Sequence, residues 1–205
     1  MKATFLAIPA ALAPLSLLPF WSAEPAPAAA TAPAEAHTYA IDAGHSAVIF
    51  RVKHFGVGYT YGRFNELGGS VTFDERNPAA SSVEIEVKAN SIDSNSEGRD
   101  DHLRGPDFLS SKEFPLITFK SSKVEKKGDG YAVTGDLSLH GVSKTITVDA
   151  EHVGTGPDPW GNERVGFELK FDIEPKDYEI RYMTDKDTLG PGIGMIVSIE
   201  ASRKP

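Results

Sequence analysis

The stretch V-E-I-E-V-K-A, residues 83–89, alternates strictly: Val83, Ile85, Val87 and Ala89 oppose Glu84, Glu86 and Lys88. Successive side chains of a β-strand point to opposite faces, so a run of this kind buries one face and wets the other. The same period of two recurs from Thr38 onward. Val48, Phe50 and Val52 alternate with Ile49, Arg51 and Lys53, while Val71 and Phe73 face away from Ser70, Thr72 and Asp74. Ile117 and Phe119 follow, then Tyr131, Val133, Leu137 and Leu139, then Ile146, Val148 and Ala150. Val165, Phe167, Leu169, Phe171 and Ile173 oppose Arg164, Glu168, Lys170, Asp172 and Glu174. Met195, Val197, Ile199 and Ala201 end the series.

A parallel sheet covered on both faces would show continuous apolar runs with helical patterns between them. Neither is present. Turn signals separate the segments instead: Gly68-Gly69, Asn77-Pro78, Gly128-Asp129-Gly130, Gly141 and the stretch GTGPDPWGN at 154–162. The pattern predicts an all-β, antiparallel fold of about eight strands, arranged as a sandwich or as a closed barrel. A barrel of this size fills itself with side chains or holds one small ligand.

With 205 residues, 40% of them hydrophobic and 24% charged, the chain has the make-up of one ordinary globular domain. Its net charge of −8 argues against a general nucleic-acid binder, which needs a basic face. The first residues read as an export signal. Lys2 precedes an apolar stretch, Phe5 to Phe20, interrupted by Pro9, Pro14 and Pro19, and Trp21-Ser22-Ala23 offers a cleavage point. The expectation is a signal peptide at 1–23, with cleavage between 23 and 36, and a flexible Ala/Pro-rich leader at 24–37. The folded domain would then span 38–204 and reside in the periplasm. Cysteine is absent, so no disulfide and no cysteine-linked lipid is expected.

One segment departs from the strand pattern. In RDDHLRGPDF, residues 99–108, ionisable groups crowd before a Gly-Pro break. Ser94 and Glu97 fit a capping box, and Gly105-Pro106 a stop, so a short helix over 95–104 is expected. Asp100 and Arg104 would pair four residues apart.

Catalytic and metal chemistry find little footing. No two of His37, His45, His54, His102, His140 and His152 show a metal-ligand spacing. His45 and His54 bracket one strand and lie roughly 30 Å apart at about 3.3 Å per residue, so they cannot share a zinc ion. There is no G-x-S-x-G elbow and no S-x-x-K pair. The sequence proximity of Asp42, His45 and Ser46 fits turn polar groups as well as a triad. GPGIGM at 190–195 precedes a strand instead of a helix and lacks the residues of a phosphate-binding loop. No catalytic residue, metal ligand or cofactor is therefore assigned. Binding is the reading that the inward faces support, and their lining suits a hydrocarbon chain at about 0.8 kcal/mol per buried methylene.

Four stretches, YAIDAGHSAVIFRVKHFGVGYTYGRF, RDDHLRGPDFLSSKEFPLITFKSS, VTGDLSLHGVSKTITVDAE and DPWGNERVGFE, closely resemble the YceI-like family in order and from about Tyr39 to Ile199. The resemblance implies a lipocalin-like antiparallel barrel with a short helix near one end, exported to the bacterial periplasm. It also implies a polyisoprenoid cargo, such as a polyprenyl phosphate or an isoprenoid quinone. A departure is Gly105-Pro106-Asp107-Phe108-Leu109, where the family often has Ser-x-Asp-Phe-Phe.

Inward parity nominates Val48, Phe50, Val52, Phe73, Ile85, Val87, Phe119, Val133, Leu137, Phe167, Leu169 and Phe171 as lumen lining. His45, His54, Arg99, His102, Arg104 and Phe108 are the candidates for the head group or the lid. The expected function is a non-enzymatic carrier or reservoir of an amphipathic isoprenoid lipid, with at most transient membrane contact and with homodimer formation left open. The net charge gives a slight preference to a neutral, quinone-like head. The rivals are a hydrolase-like enzyme acting on a bound amphiphile and a stress-related interaction module with a filled core.

Overall fold

The computed structural model describes residues 35–183, 189–190 and 192–204. The signal peptide expected at 1–23 and the leader as far as residue 34 lie outside the described residues. Among the described residues there are eleven strand segments: β1 (His37–Ile41), β2 (Ala47–His54), β3 (Gly58–Phe64), β4 (Leu67–Phe73), β5 (Ser82–Lys88), β6 (Ile92–Asp93), β7 (Leu116–Lys127), β8 (Gly130–Leu139), β9 (Val142–Pro157), β10 (Glu163–Ile173) and β11 (Ile193–Arg203). An α-helix, α1 (Glu97–Arg104), follows β6.

All strand pairs are antiparallel, and β1-β4-β5-β7-β8-β9-β10-β11 runs as a continuous ladder that the β1–β11 pairing closes into a ring of eight. Closure excludes the sandwich. Of the three further segments, β6 is a short pairing on β3, and β2 and β3 arise from bends. β11 pairs with β2 along Ile193–Ser198 and with β1 at Ala201–Ser202, so β1 and β2 are two lengths of one bent strand. β3 and β4 divide in the same way, β3 following β2 and β4 following β1. The β2–β3 hairpin therefore extends the wall beyond the ring at one end. Beyond Arg63↔Asp93 and Phe64↔Ile92, the outer edge of β3 has no strand partner among the described residues.

Period-two parity carries most of the interior. Val48, Phe50, Val71, Phe73, Val87, Val133, Val148 and Val165 are all buried, as the alternation requires. A bulge in β7 between Ser121 and Lys123 switches the inward set from Ile117 and Phe119 to Val124. An extra residue of this kind shifts every later side chain to the opposite face. β3 inverts the usual polarity. Its exposed positions are Tyr59, Tyr61 and Arg63, while Thr60 and Gly62 point inward, which is why a search for buried apolar alternation passes over it.

The helix starts later than its sequence predicts. Ser96, not Ser94, is the N-cap, and the first helical residue is Glu97. Ser94 is committed elsewhere: its N–H donates to Asp100 Oδ1 at 2.8 Å and its hydroxyl donates to the same oxygen. Asn95, at φ 63°, turns the chain before the helix begins. Asp100 is buried by that contact, so the expected Asp100–Arg104 ion pair is replaced by Arg104–Asp101 at 3.0 Å. Gly105 has an extended backbone (φ −74°, ψ 177°), so it ends the helix because Pro106 follows it, not because it is glycine.

Candidate functional site

The ring encloses a cavity of about 430 Å³, within the range of about 300–1,000 Å³ typical of small-molecule sites. All twelve residues nominated as lumen lining (Val48, Phe50, Val52, Phe73, Ile85, Val87, Phe119, Val133, Leu137, Phe167, Leu169 and Phe171) border it. They come from β2, β4, β5, β7, β8 and β10, so the wall is built from nearly the whole circumference. Its polar contributors are hydroxyls, His54, His102 and Arg99; no carboxylate borders it among the described residues. Such a lining accepts a long apolar body and, at its polar places, a neutral or negatively charged head.

One end of the barrel is floored by rings. Phe73 stands edge-on to Tyr131 at 5.5 Å and to Phe167 at 5.2 Å, and His152 stacks on Phe167 at 5.3 Å. Such pairs contribute about 0.5–1.5 kcal/mol each beyond their buried area. Toward the other end, the cavity is bordered by β2–β3, by α1 and the loop after it, and by the segment leading into β11. His102 Nε2 lies 2.9 Å from Asp107 Oδ2, and its ring packs edge-on against Phe108 at 5.0 Å and Tyr182 at 5.2 Å. Arg99 donates from Nε to Ser94 Oγ at 2.7 Å and from Nη2 to the Ser94 carbonyl, which aims its guanidinium along the rim.

Of the head-group and lid candidates, His54, Arg99, His102 and Phe108 border the cavity. His45 and Arg104 do not. Arg104 donates to the carbonyls of Asn90 at 2.9 Å and Ile92 at 2.7 Å, so it is the fastener of α1. His45 sits on the outer surface beside Asp42, with Nδ1 2.9 Å from Oδ2. Ile180, Tyr182, Met183 and Leu189 also line the cavity, and parity could not have found them, since none of them lies on a strand. No sequence signal marked them, because Arg181 and the polar stretch from Thr184 to Thr188 interrupt their apolar side chains.

The polar cluster around His45 has its own logic. Ligand-type atoms of Asp42, His45 and Glu200 lie within 4.8 Å of one another, a grouping that spacing in the sequence does not reveal. Arg164 occupies the position a cation would take: it donates to Asp42 at 2.9 Å, to Asp158 at 3.0 Å and to Glu200. Hydrogen bonds from His45 and Arg164 hold the Asp42 carboxyl down to about 2. Asn162, then Arg164 and the Asn162 and Trp160 backbone N–H groups, do the same for Asp158, also to about 2. The cluster ties the β9–β10 turn and β11 to the bend between β1 and β2, on the outside of the barrel.

Residues 39–202 match the YceI-like domain. The chain belongs to the YceI-like family. A YceI protein of Escherichia coli is 43% identical over 156 residues, covering 76% of this chain and 81% of that protein. Among solved YceI-like structures, the Campylobacter jejuni YceI protein superposes with a TM-score of 0.67 at 30% identity, covering 75% of this chain and 90% of that one. A polyisoprenoid binding domain from Saccharophagus degradans shares the fold, with a TM-score of 0.59 at 16% identity over 82% of this chain and 98% of that one.

Proposed function

We propose that the protein holds one long-chain isoprenoid lipid, a polyprenyl phosphate or an isoprenoid quinone, in its lumen and serves as a periplasmic carrier or reservoir. The observation that carries this reading is the closed ring around an apolar cavity that no carboxylate borders among the described residues. Each methylene buried there contributes about 0.8 kcal/mol before the cost of ordering the chain is subtracted. The polyisoprenoid binding of the Saccharophagus degradans domain supports the same class of cargo. Export is supported by Lys2 and the apolar stretch behind it.

The head group belongs near Arg99, His54 and His102, where a quinone oxygen or a phosphate finds donors and no carboxylate borders the cavity among the described residues. A binding role, not hydrolysis, fits the polar groups present. Neither cavity-bordering histidine is bonded to a hydroxyl among the described residues: His102 is held by Asp107, and His54 packs its ring on Phe55 at 4.2 Å. Ser94 Oγ is engaged by Asp100 and Arg99.

Solvent extraction of the purified protein followed by mass spectrometry is expected to release a prenyl species. Leu137→Trp, which places a large ring in the lumen, should abolish that cargo while the protein still melts cooperatively. Changing His54 and His102 to alanine should leave retention mostly intact. An empty extract, together with no uptake of an added prenol or quinone, overturns the proposal in favour of a lumen without lipid cargo. Turnover of a bound amphiphile that disappears with the histidine changes would replace it with the enzyme.

A further inference from the structure

The β2–β3 hairpin shows a pattern that neither the core nor the lumen explains. Its tip is apolar and exposed, with Phe55 at 53% and Val57 at 91%, and Tyr59 and Tyr61 follow on the outer face at 55% and 53%. The turn itself is costly. Phe55 (φ 48°) and Gly56 (φ 70°) both take left-handed backbone, closed by the Val57 N–H donating to the His54 carbonyl at 3.0 Å. Such two-residue turns favour asparagine or aspartate before the glycine, and a bulky ring with positive φ is strained. A strained, exposed phenylalanine outside the core points to a use outside the fold.

Charge supplies the second observation. From Ala47 to Phe64 the hairpin carries Arg51, Lys53 and Arg63 and no acidic residue, in a chain whose net charge is −8. None of the three cations enters an ion pair among the described residues. Arg51 lies over the Tyr59 ring at 4.8 Å, and the Asp93 carboxyl is lowered first by the Asn95 N–H and the Asn65 side chain and only then by the charge of Arg63.

We propose that this hairpin is a docking element for the surface of a bilayer bearing anionic phospholipid head groups. The order of side chains along it matches such a surface. Lys53 and Tyr59 are cross-strand partners two residues behind the tip, about 7 Å at 3.3–3.4 Å per residue. Peripheral elements bury their apolar face by about 5–10 Å, so Phe55 and Val57 reach the acyl boundary while Tyr59 and Lys53 stand at head-group level. Basic residues near an anionic surface add attraction that falls off within a Debye length, about 10 Å at 0.1 M salt. The position is equally apt, because Val52, His54 and Thr60 of this hairpin border the cavity. Docking stands on the hairpin; its purpose, exchange of cargo at the mouth, rests on the lumen reading above.

Flotation of the purified full chain with vesicles tests it. Vesicles of phosphatidylglycerol and phosphatidylcholine should carry the protein, phosphatidylcholine alone should carry much less, and added salt should release it. The double change Phe55→Asp and Val57→Asp should weaken binding at least about tenfold, and Arg51→Gln with Lys53→Gln should erase the preference for anionic vesicles. The apolar N-terminal stretch is common to all variants, so the difference between them reads the hairpin. Uptake of a fluorescent polyene without vesicles should survive the tip change, confirming an intact barrel and separating this test from that of the lumen. Failure of the parent to float, or flotation indifferent to the tip, overturns the bilayer as partner and leaves an acidic protein surface as the occupant.

Discussion

Gly62 shows how one side chain sets the shape of the lumen. It faces inward on β3, where a Cβ would fall 2.2 Å from Phe50 Cζ and 3.0 Å from the Asp93 carbonyl. The absent side chain is what lets the Phe50 ring lie against the wall. Gly62→Ala should therefore push that ring into the cavity, costing about 1–3 kcal/mol by overpacking. Urea unfolding would show the loss and polyene uptake would show a smaller lumen; unchanged values in both would mean that Phe50 has room to swing aside. Sequence alone did not hold this contact, because a glycine carries no parity signal and Phe50 lies twelve positions earlier. The lumen positions themselves were legible residue by residue, from Val48 to Phe171, because an unbroken strand converts spacing directly into facing.

At the scale of elements, α1 is a docked lid fastening whose ionisable groups are mostly consumed in holding it. Arg104 bridges to the Asn90 and Ile92 carbonyls and to Asp101 from a partly buried position. Arg104→Met should cost about 1–2 kcal/mol locally, since charged hydrogen bonds are lost while the stem still packs. Hydrogen exchange should then accelerate over 97–104 and stay unchanged in β8–β10; uniform acceleration would show that α1 is part of the global folding unit. The capping box was visible in the sequence yet misassigned, because the buried carboxylate of Asp100 captured Ser94 first. The β7 bulge was not visible at all. Nothing in Ser121-Ser122-Lys123 announces the extra residue, which is set by pairing with β8.

At the scale of the whole molecule, the barrel is closed by β11 lying against both β1 and β2, and the Arg164 cluster pins that closure from outside. Asp42 and Asp158 have folded pKa values of about 2, below their ordinary 3.8. A depressed carboxylate stabilises the fold fully above its unfolded value, near pH 4, and that contribution is lost as the medium is acidified toward pH 2. Melting temperature should therefore fall through this window. Arg164→Met should lower it by several degrees at neutral pH and flatten the acid-side slope. An acid profile identical to that of the parent would place the sensitivity in other carboxylates. Arg164 itself read only as an outward strand residue, since its partners come from positions 42, 158 and 200.

The sequence by itself determined the antiparallel architecture, most of the side chains turned inward from unbroken strands, and the apolar character of their meeting place. It did so because alternation is a local property that every intact strand preserves. The tertiary structure decided that the ladder closes into a ring, that a space stays open inside it, and that His45 and Arg104 stand apart from that space while His54, Arg99 and His102 border it. These outcomes depend on which distant segments pair, on where bulges shift the register and on which polar partner reaches a side chain first. None of those relations is written in the order of neighbouring residues.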